Sequence, residues 1–503
     1  MFSNKKLAVA VSGAVLLMAG QIALADSTTD IVDALVTKGV LTEEEGKLIT
    51  KGHETKKKAT MDAKFKDGFV LESADANNSI KIGGRLHADY RSFNNGTTNT
   101  DATQNSASSK ETNTFDIRRA RLELSGTYRK YYDFLLSADI TGGTNGNVSS
   151  KDVSILDQAF LNIKWFPKAM IKVGQFKSAA NGIEKMTSSN NMDFQERSWA
   201  NQLSANEDRG IQVGGSPITG VTYALGVMGG EGAKGRNDAN ARVEEVEYVG
   251  KATVNFAQLM DNKEAVLHAG GWFSSTSFDK NATLNTDGIM TGNWLSGSYK
   301  LRTQDRGFEF LSLPGLTGVT GVSSEIDRQR YGLEFSAAQG PVKLQGEYVV
   351  NNFSGDINTT TTFDSDIKSY YVQAMYLITG EKYADFYKEG IYGAIKPKNE
   401  FNPDTFSGGA WEIGARYSRV DAKDFTWATT AQTGLAAAVS VNGATSTNTL
   451  LADAWTVGVK FVPNNNTRLL LNASRTSFDT PVYINGALRS SEMALTTRIQ
   501  FMF

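Results

Sequence analysis

The segment "ALTTRIQFMF", residues 494–503, alternates apolar and polar side chains up to its final phenylalanine. Successive side chains of a β-strand point to opposite faces, so this alternation separates two sets of residues. The apolar set is Leu495, Ile499, Phe501 and Phe503, and the polar set is Thr496, Arg498 and Gln500. We therefore interpret the segment as a strand with one apolar face and one polar face.

The same period of two begins near Ile80 and continues through the chain. It is clear in "IKIGGRLHADY" (80–90), "VKLQGEYV" (342–349) and "WEIGARYS" (411–418). A soluble β-sandwich also alternates, but its strands are shorter and its turns are more evenly spaced. Here one face is apolar and aromatic while the other carries charges, amides and glycine. This pattern is typical of an antiparallel transmembrane β-barrel with lipid outside and water inside, and we predict an all-β fold of that class.

The spacing of the connections tests this interpretation independently. The odd-numbered connections are long and the even-numbered ones are mostly short, which is the outer-membrane arrangement with both chain termini in the periplasm. We predict sixteen strands, at about 80–91, 113–127, 132–140, 153–165, 170–177, 209–216, 220–228, 247–257, 264–274, 329–338, 341–351, 367–378, 409–420, 452–462, 466–476 and 491–503.

Two stretches do not fit this pattern easily. The segment "RGFEFLSLPG", residues 306–315, resembles a further strand, but an odd total would break the usual even count. We therefore place it in the fifth long loop, 275–328. The connection 379–408 is too long for a periplasmic turn, and the sequence alone does not explain its length.

A barrel of this size has consequences for function. Lipid tolerates no unpaired backbone, so we expect the last strand to pair with the first and close the sheet. Sixteen strands leave an aqueous channel, whereas about eight are filled by their own side chains. The third long loop, residues 178–208, is polar and long enough to fold inward and form a constriction.

The residues ahead of the barrel have a different character. Residues 1–25 predict a cleaved signal peptide, with Lys5 and Lys6 ahead of an apolar run and a small-residue site at 23–25. Residues 26–79 predict a short helical segment and linker, in which Thr42 and Glu45 form a capping box. An alternative interpretation is a periplasmic coiled segment that helps subunits associate. Residues 80–503 form the predicted barrel.

Composition excludes several classes of protein. The 52 basic and 54 acidic residues nearly cancel, so no basic patch indicates a nucleic-acid partner. The chain has no cysteine, so a large core or a closed sheet must supply its stability. Beyond the first thirty residues there is no apolar run of eighteen, and no metal motif, phosphate-binding loop or dinucleotide fingerprint occurs in a suitable context. We expect no cofactor and no metal.

Six segments in order resemble the phosphate-selective porin O and P family. They are "IGGRLHADY", "DIRRARLELSGTY", "VGQFKSAANGIEKMTSSNNMDFQERS", "RYGLEFSAAQGPVKLQGEY", "YVQAMYLITGE" and "GAWEIGARYSRVD", within residues 80–503. The resemblance implies a trimeric barrel in the outer membrane whose inward third loop passes small anions such as phosphate. Phe503 also resembles the terminal signature that the barrel-assembly machinery reads. The family usually has a Pro-Phe pair after "GQFK", where this chain has Ser178, Ala179 and Ala180.

Basic side chains on the polar faces are candidates for an anion path, because selectivity in pores comes from rings and ladders of charge. Guanidinium groups bind phosphate as a two-pronged fork and ammonium groups as a point charge. In "RRAR", the alternation places Arg119 and Arg121 inward with Glu123 and leaves Arg118 on the other face. The candidates are Arg85, Arg119, Arg121, Lys177, Lys185, Arg197, Lys251, Arg330 and Arg416, and Lys172, Lys343, Lys460 and Arg498 also fall on lumen faces.

The alternative is that these cations pair with acids and only hold the barrel wall rigid. The acids that the alternation places within reach are Glu123, Glu334, Glu347 and Glu412. Near Lys185 and Arg197, the acids Glu184, Asp193 and Glu196 would cancel much of the field.

We therefore interpret the chain as a porin for passive diffusion of small solutes, anion-selective with a preference for phosphate. A general porin for small hydrophilic solutes is the alternative. A receptor or adhesin acting through outer loops such as 421–451 is a further one. An enzyme built on His87 and Asp89 is disfavoured, because a histidine in a channel wall is more often a polar wall group.

Overall fold

The computed structural model describes residues 32, 35–58, 61–65, 68–94, 113–141, 156–229, 246–279, 300–312, 325–358, 361–425, 449–484 and 487–503. The signal-peptide prediction and most of the loop 421–451 lie outside these residues. The described chain divides into two compact units. The smaller holds the residues up to Lys64 together with Leu71–Ser79, and the larger holds Phe65–Val70 and Ile80–Phe503.

The smaller unit contains helix α1, Glu43–Lys58. The short strands Met61–Phe65 and Phe69–Ser73 follow, and the unit boundaries fall within them. The backbone N–H of Glu45 donates to Thr42 Oγ1 at 3.2 Å, and Glu45 Oε2 accepts the N–H of Thr42 at 2.9 Å. This reciprocal pair is a capping box, as predicted. The strands fall in what we predicted as linker, and Lys64 bonds to Glu72 across them at 2.9 Å.

The larger unit is a closed antiparallel barrel. Consecutive strands pair, and the last strand pairs with the first, with Arg498 opposite Asp89 and Phe501 opposite Leu86. The predictions of sixteen strands and of closure by the last strand are confirmed for the described residues. The strands are β1 Ser79–Phe93, β2 Asn113–Tyr128, β3 Tyr132–Asp139, β4 Leu156–Ile163, β5 Met170–Lys177, β6 Glu207–Gly215, β7 Val221–Met228, β8 Glu247–Asn255, β9 Ala265–Asp279, β10 Glu325–Gln339, β11 Val342–Asn358, β12 Thr361–Leu377, β13 Ala410–Asp421, β14 Leu451–Asn464, β15 Thr467–Ile484 and β16 Ala487–Met502.

Strand β10 shows how the period of two builds the wall. Its exposed and buried residues alternate along nearly its whole length. Leu333 is 64% exposed on the outer face, whereas its neighbour Glu334 is 3% exposed inside. A wall with apolar groups outside and charged groups inside is stable when hydrocarbon surrounds it and water fills it.

Two loops were predicted too long. The predicted loops 352–366 and 477–490 are mostly strand. Strand β11 continues to Asn358, β12 begins at Thr361, and β15 continues to Ile484. On the outer face of β11 and β12 the apolar residues give way to amide and acid, and Asn352 donates to Asp366 at 2.8 Å. The strands therefore continue where their outer face becomes polar, a change that the hydrophobic pattern reads as a loop.

Three segments between barrel strands have structure of their own. The third loop contains the short helices α2, Ile183–Met186, and α3, Trp199–Leu203. In the fifth loop, Lys300–Arg302 pairs with Glu309–Ser312, so "RGFEFLSLPG" contributes to a small separate hairpin rather than to the wall. The connection 379–408, called the tyrosine segment below, contains a 3₁₀ turn, Tyr383–Phe386, and the paired residues Tyr387–Lys388 and Ile391–Tyr392.

A fourth short helix, α4 Phe256–Leu259, follows β8. Within the described part of the chain, no helix combines the length and the apolar character needed to cross a membrane.

Candidate functional site

The third loop crosses the lumen of the barrel. It is bonded to strands from opposite parts of the wall: Lys251 of β8 donates to Asn181 O at 2.7 Å, and Gln500 of β16 donates to Asn190 O at 2.8 Å. Arg416 of β13 donates to Glu196 O at 2.9 Å. A loop held by strands this far apart around a closed wall must lie inside it. These contacts place the third loop in the lumen, and its role as a constriction stays a prediction.

Two other segments also enter the lumen. The fifth-loop hairpin packs on the third loop, where Arg302 O accepts from Trp199 Nε1 at 2.8 Å. The tyrosine segment enters from the end of the barrel at which β1 begins. Its Tyr387 hydroxyl lies 2.7 Å from His268 Nδ1 on β9, and its Tyr392 hydroxyl lies 2.8 Å from Ser336 Oγ on β10. The connection that seemed too long is thus a folded element inside the barrel.

The predicted cations of the third-loop region hold backbone rather than acids. Lys177 Nζ, at the end of β5, donates to the carbonyls of residues 185–187 at 2.8, 3.4 and 3.3 Å. Arg197 donates to the carbonyls of Glu184 and Thr187 at 3.0 and 2.9 Å. Both side chains therefore shape the turn of the loop.

Lys185 is partly neutralised. Its Nζ donates to Asn206 Oδ1 at 2.9 Å and lies 3.9 Å from a carboxylate oxygen of Glu207. Burial lowers the pKa of Lys185, against the opposing charge of Glu207, and burial also lowers the pKa of Arg197. Burial therefore disfavours the charged form at both positions, and Glu207 opposes this effect at Lys185.

The largest concentration of charge surrounds Glu196 of the third loop. Its Oε1 accepts from Arg91 at 2.8 Å, from Arg118 at 3.0 Å and from Arg498 at 3.3 Å. Arg119 of β2 and Arg306 of the fifth-loop hairpin also act electrostatically on this carboxylate. We call Arg91, Arg118, Arg119, Arg306 and Arg498 the arginine cluster.

The prediction for Arg118 is wrong. Alternation placed Arg118 on the outer face, but its Nε donates to Glu196 inside the barrel. Its neighbour Arg119 is buried on the same inner side. Adjacent residues that both point inward break the period of two, so the strand is locally irregular here. The sequence carries a signal of this irregularity, because the outward apolar residues change from odd positions at Phe115 and Ile117 to even positions at Leu122 and Leu124.

Among the residues that the structure describes, the arginine cluster contains more guanidinium groups than carboxylates. Besides Glu196, its carboxylates are Asp89, bonded to Arg91 and Arg498 at 2.7 and 2.6 Å, and Asp305 of the fifth-loop hairpin. Although burial raises the pKa of Glu196, the surrounding arginines hold it well below its usual range. Burial and the neighbouring Arg118 lower the pKa of Arg306 to about 10.

Arg119 has donors without acceptors. It is 6% exposed, and its Nε and Nη1 have no hydrogen-bond partner among the described residues. An unpaired buried charge is costly, so this guanidinium is suited to an anion that enters from the channel.

The remaining candidates on β1 and β2 are paired. Arg85 bonds to Glu123 and donates to Ser189 of the third loop at 2.9 Å. Arg121 bonds to Asp157 and to Asp139, the latter at 2.8 Å. Lys172 on β5 faces the rings of Phe160 and Phe176, with its Nζ 4.8 and 5.4 Å from the ring centroids.

Other cations of the lumen lie in close contact with acids. Arg328 and Arg330 on β10 both bond to Glu247 and form a group of their own. Four further pairs, which we call the paired wall, are Lys251–Glu334 at 2.8 Å, Lys343–Asp193 at 2.7 Å, Arg416–Glu184 at 2.9 Å and Lys460–Glu412.

Of the acids predicted as partners, Glu123, Glu334 and Glu412 do pair with Arg85, Lys251 and Lys460. Glu347 does not, and that expectation is wrong. It accepts instead from the backbone N–H of Glu184 at 2.6 Å and from the Tyr371 hydroxyl at 3.0 Å, so it anchors the start of α2.

Neither His87 nor His268 has a catalytic arrangement among the described residues. His87 Nε2 lies 3.1 Å from Asn190 Oδ1, while the neighbouring Asp89 binds Arg498. His268 lies between Tyr387 and Glu334 as a wall contact. The residues that the structure covers contain no group of three or more side chains able to hold a metal ion.

Sequence reasoning missed two members of the arginine cluster. Arg91 is the last residue of the predicted strand 80–91, and it continues the period that gives Arg85, His87 and Asp89 their inward direction, so alternation alone was enough to place it inward. Arg306 lies in a loop, and its sequence carries no signal of its position. The tyrosines of the tyrosine segment likewise show no periodicity.

Comparison with known proteins agrees with this architecture. The family described as phosphate-selective porin O and P matches residues 80–503. Porin O of Pseudomonas aeruginosa is 28% identical over 374 residues, covering 72% of this chain and 77% of that protein.

Solved structures that match most of the chain include two bacterial proteins. The outer membrane channel DcaP of Acinetobacter baumannii has a TM-score of 0.48 at 10% identity, covering 86% of this chain and 99% of that one. OprB of Pseudomonas putida has a TM-score of 0.47 at 11% identity, covering 84% and 94%. Because the family match spans more than half of the chain, this protein belongs to the phosphate-selective porin O and P family and is an outer-membrane channel, not an enzyme.

Proposed function

We propose that this channel selects small anions, with inorganic phosphate as a favoured solute, and conducts them by passive diffusion. The observation that carries the proposal is the arginine cluster, in which five guanidinium groups meet three carboxylates beside the third loop. An oxyanion entering the lumen would accept hydrogen bonds from Arg119 that no described residue now accepts. Such fixed donors replace hydration, which is how a pore selects an ion.

The family match supports the solute class, since the family is described by phosphate selectivity. The proposal includes a homotrimer, a signal peptide over residues 1–25, both mature termini in the periplasm, and insertion through the barrel-assembly machinery with Phe503 as part of the signal. In this orientation the tyrosine segment enters from the periplasm, and the outer wall faces lipid.

The paired wall favours a second candidate, a general porin for small hydrophilic solutes. Paired charges cancel at a distance, so a lumen dominated by them would discriminate weakly between anions and cations. The two candidates therefore differ in whether the arginine cluster dominates the field along the path.

Reversal potentials across planar bilayers in a potassium chloride gradient decide between them. We expect a potential of the sign given by chloride permeation, and a chloride current that millimolar phosphate reduces. Arg119→Met should lower the anion-to-cation permeability ratio severalfold, because it removes the unpaired guanidinium. The matched control is Arg475→Met, which removes an exposed arginine outside the arginine cluster.

A cation-selective potential would reject the proposal, and a weak anion preference unaffected by phosphate would favour the general porin. Equal permeability ratios in Arg119→Met and Arg475→Met would remove the arginine cluster from the selectivity mechanism.

A further inference from the structure

We propose that Lys343 is a positioning residue that joins the third loop to the tyrosine segment, so that the geometry of the constriction depends on residues 379–408. The proposal rests on the proposed function insofar as the third loop shapes the selective path. It assigns Lys343 a structural coupling role in addition to its charge.

Lys343 touches both elements at once. Its Nζ lies 2.7 Å from each carboxylate oxygen of Asp193 in the third loop. The same Nζ lies 4.8 Å from the ring centroid of Tyr383 and 4.5 Å from that of Tyr392, both in the tyrosine segment. With 2% of its surface exposed, the ammonium has little water to replace these contacts.

The contacts close into a ring. On the other side of Asp193, Lys460 Nζ lies 4.0 Å away and also bonds to Glu412. The Tyr383 hydroxyl donates to Glu412 at 2.5 Å, and Tyr383 returns to Lys343 through its ring face. Third loop, wall and tyrosine segment are thus linked by one connected set of polar contacts, in which each charge depends on the others.

Apolar packing follows the same path. Ile183 and Phe194 of the third loop are buried in one cluster with Tyr383, Tyr392 and Ile395 of the tyrosine segment. Ile183 is fully buried and Phe194 is 2% exposed. The third loop therefore excludes water from its apolar side chains by means of the tyrosine segment, and a displaced segment would leave them unsupported.

The competing explanation is that Lys343 only adds positive charge to the lumen. The two explanations predict different changes in the Lys343→Met and Asp193→Asn variants. Lys343→Met removes a positive charge and Asp193→Asn removes a negative one, so a pure charge effect shifts the anion-to-cation permeability ratio in opposite directions. Loss of positioning instead frees the third loop in both variants, and the double variant adds nothing further.

Because the chain has no cysteine, a single introduced thiol can report on the loop. A nitroxide at Asn191→Cys, two residues from Asp193 and half-buried, would be followed by electron paramagnetic resonance in the full-length channel reconstituted in vesicles. We expect a broad line in the parent. Lys343→Met, Asp193→Asn and the double variant should each shorten the label's correlation time severalfold and to the same extent, while Lys343→Arg should keep the line broad.

Tyr392→Leu provides a milder disruption if the charge variants fail to assemble, because it removes one ring face and leaves every charge in place. It should release the label in the same way. A label at Asp261→Cys, in an exposed turn, is the control and should not change.

An Asn191 label that stays immobile in Lys343→Met, Asp193→Asn and Tyr392→Leu would overturn the coupling, as would opposite shifts in permeability without release. If the loop is released in a channel that shows no anion preference, the coupling stands and the proposed function fails.

Discussion

The arginine cluster and the paired wall are made from the same residue types and differ in balance. In the paired wall, four cations face four carboxylates in equal number. In the arginine cluster, five guanidinium groups share Asp89, Glu196 and Asp305. The number of basic residues in a lumen is therefore a poor guide to its field, because only the unmatched charges act at a distance.

The two regions also differ in cost. A buried pair offsets its desolvation only while both partners are present, so each member of the paired wall is required by the other. Arg119 has two donors without acceptors among the described residues, so no hydrogen bond at these donors offsets its desolvation. A charge kept at an energetic cost is consistent with a role in permeation, whereas a matched pair is consistent with a role in rigidity.

The largest expected effect comes from breaking a pair in the paired wall. Glu412→Ala leaves Lys460 buried without its closest acid and removes the acceptor of Tyr383. We expect a loss of unfolding free energy of about 3–5 kcal/mol, as for other buried pairs that lose one partner. Urea unfolding in detergent micelles, followed by heat-modifiable electrophoretic mobility, measures it. A loss below that of the surface control Arg475→Met would show that the pair is solvated.

The next largest effect is a gain in stability on removal of the Arg119 charge, opposite in sign to the effect of Glu412→Ala. Arg119→Met removes a buried charge that lacks partners, so stability should rise by about 1 kcal/mol while anion selectivity falls. The same unfolding assay, paired with reversal potentials, gives both quantities. A loss of stability would mean that the guanidinium is already satisfied, and the contrast between the two regions would disappear.

A smaller effect is expected when a whole pair is neutralised. Lys251→Met combined with Glu334→Gln removes one positive and one negative charge that lie 2.8 Å apart. The permeability ratio should stay within about twofold of the parent, since a close pair has little field at a distance. A change as large as that of Arg119→Met would place the paired wall in the selective path.

The smallest effect is expected from pH. Burial raises the pKa of Asp305 above its ordinary value, whereas the arginines hold the pKa of Glu196 well below its own. On acidification Asp305 is neutralised before Glu196. The arginine cluster then gains one net positive charge, and the anion-to-cation permeability ratio should rise. Reversal potentials from pH 7 downward test this, and Asp305→Asn should abolish the step.

The two pKa shifts also determine how the free energy of unfolding depends on pH. The lowered pKa of Glu196 means that its favourable contribution is present above its unfolded pKa and is lost only when the pH falls through the lower folded value. Asp305 behaves in the opposite sense, because its charge is unfavourable in the folded protein and its neutralisation relieves that cost as the pH falls through the raised pKa. An Asp305 step that decreases anion preference would contradict the assignment of this acid to the arginine cluster.

The sequence by itself determined the barrel: its class, its sixteen strands, its closure by the last strand and the inward direction of most wall cations. These follow from a period of two, which is a local property of the chain that lipid and water enforce at every strand. The inward fold of the third loop was predicted from its position, its polarity and its family resemblance.

Only the tertiary structure decided which charges are matched and what the tyrosine segment does. Arg498 meets Asp89 across 409 positions of sequence, and Lys343 meets Asp193 across 150. No local pattern encodes such a pairing, because it depends on the curvature of the closed wall and on loops that enter it from both ends. Arg118 is a different case, because the irregularity that turns it into the cluster accompanies a change of phase between Ile117 and Leu122 that the sequence does contain.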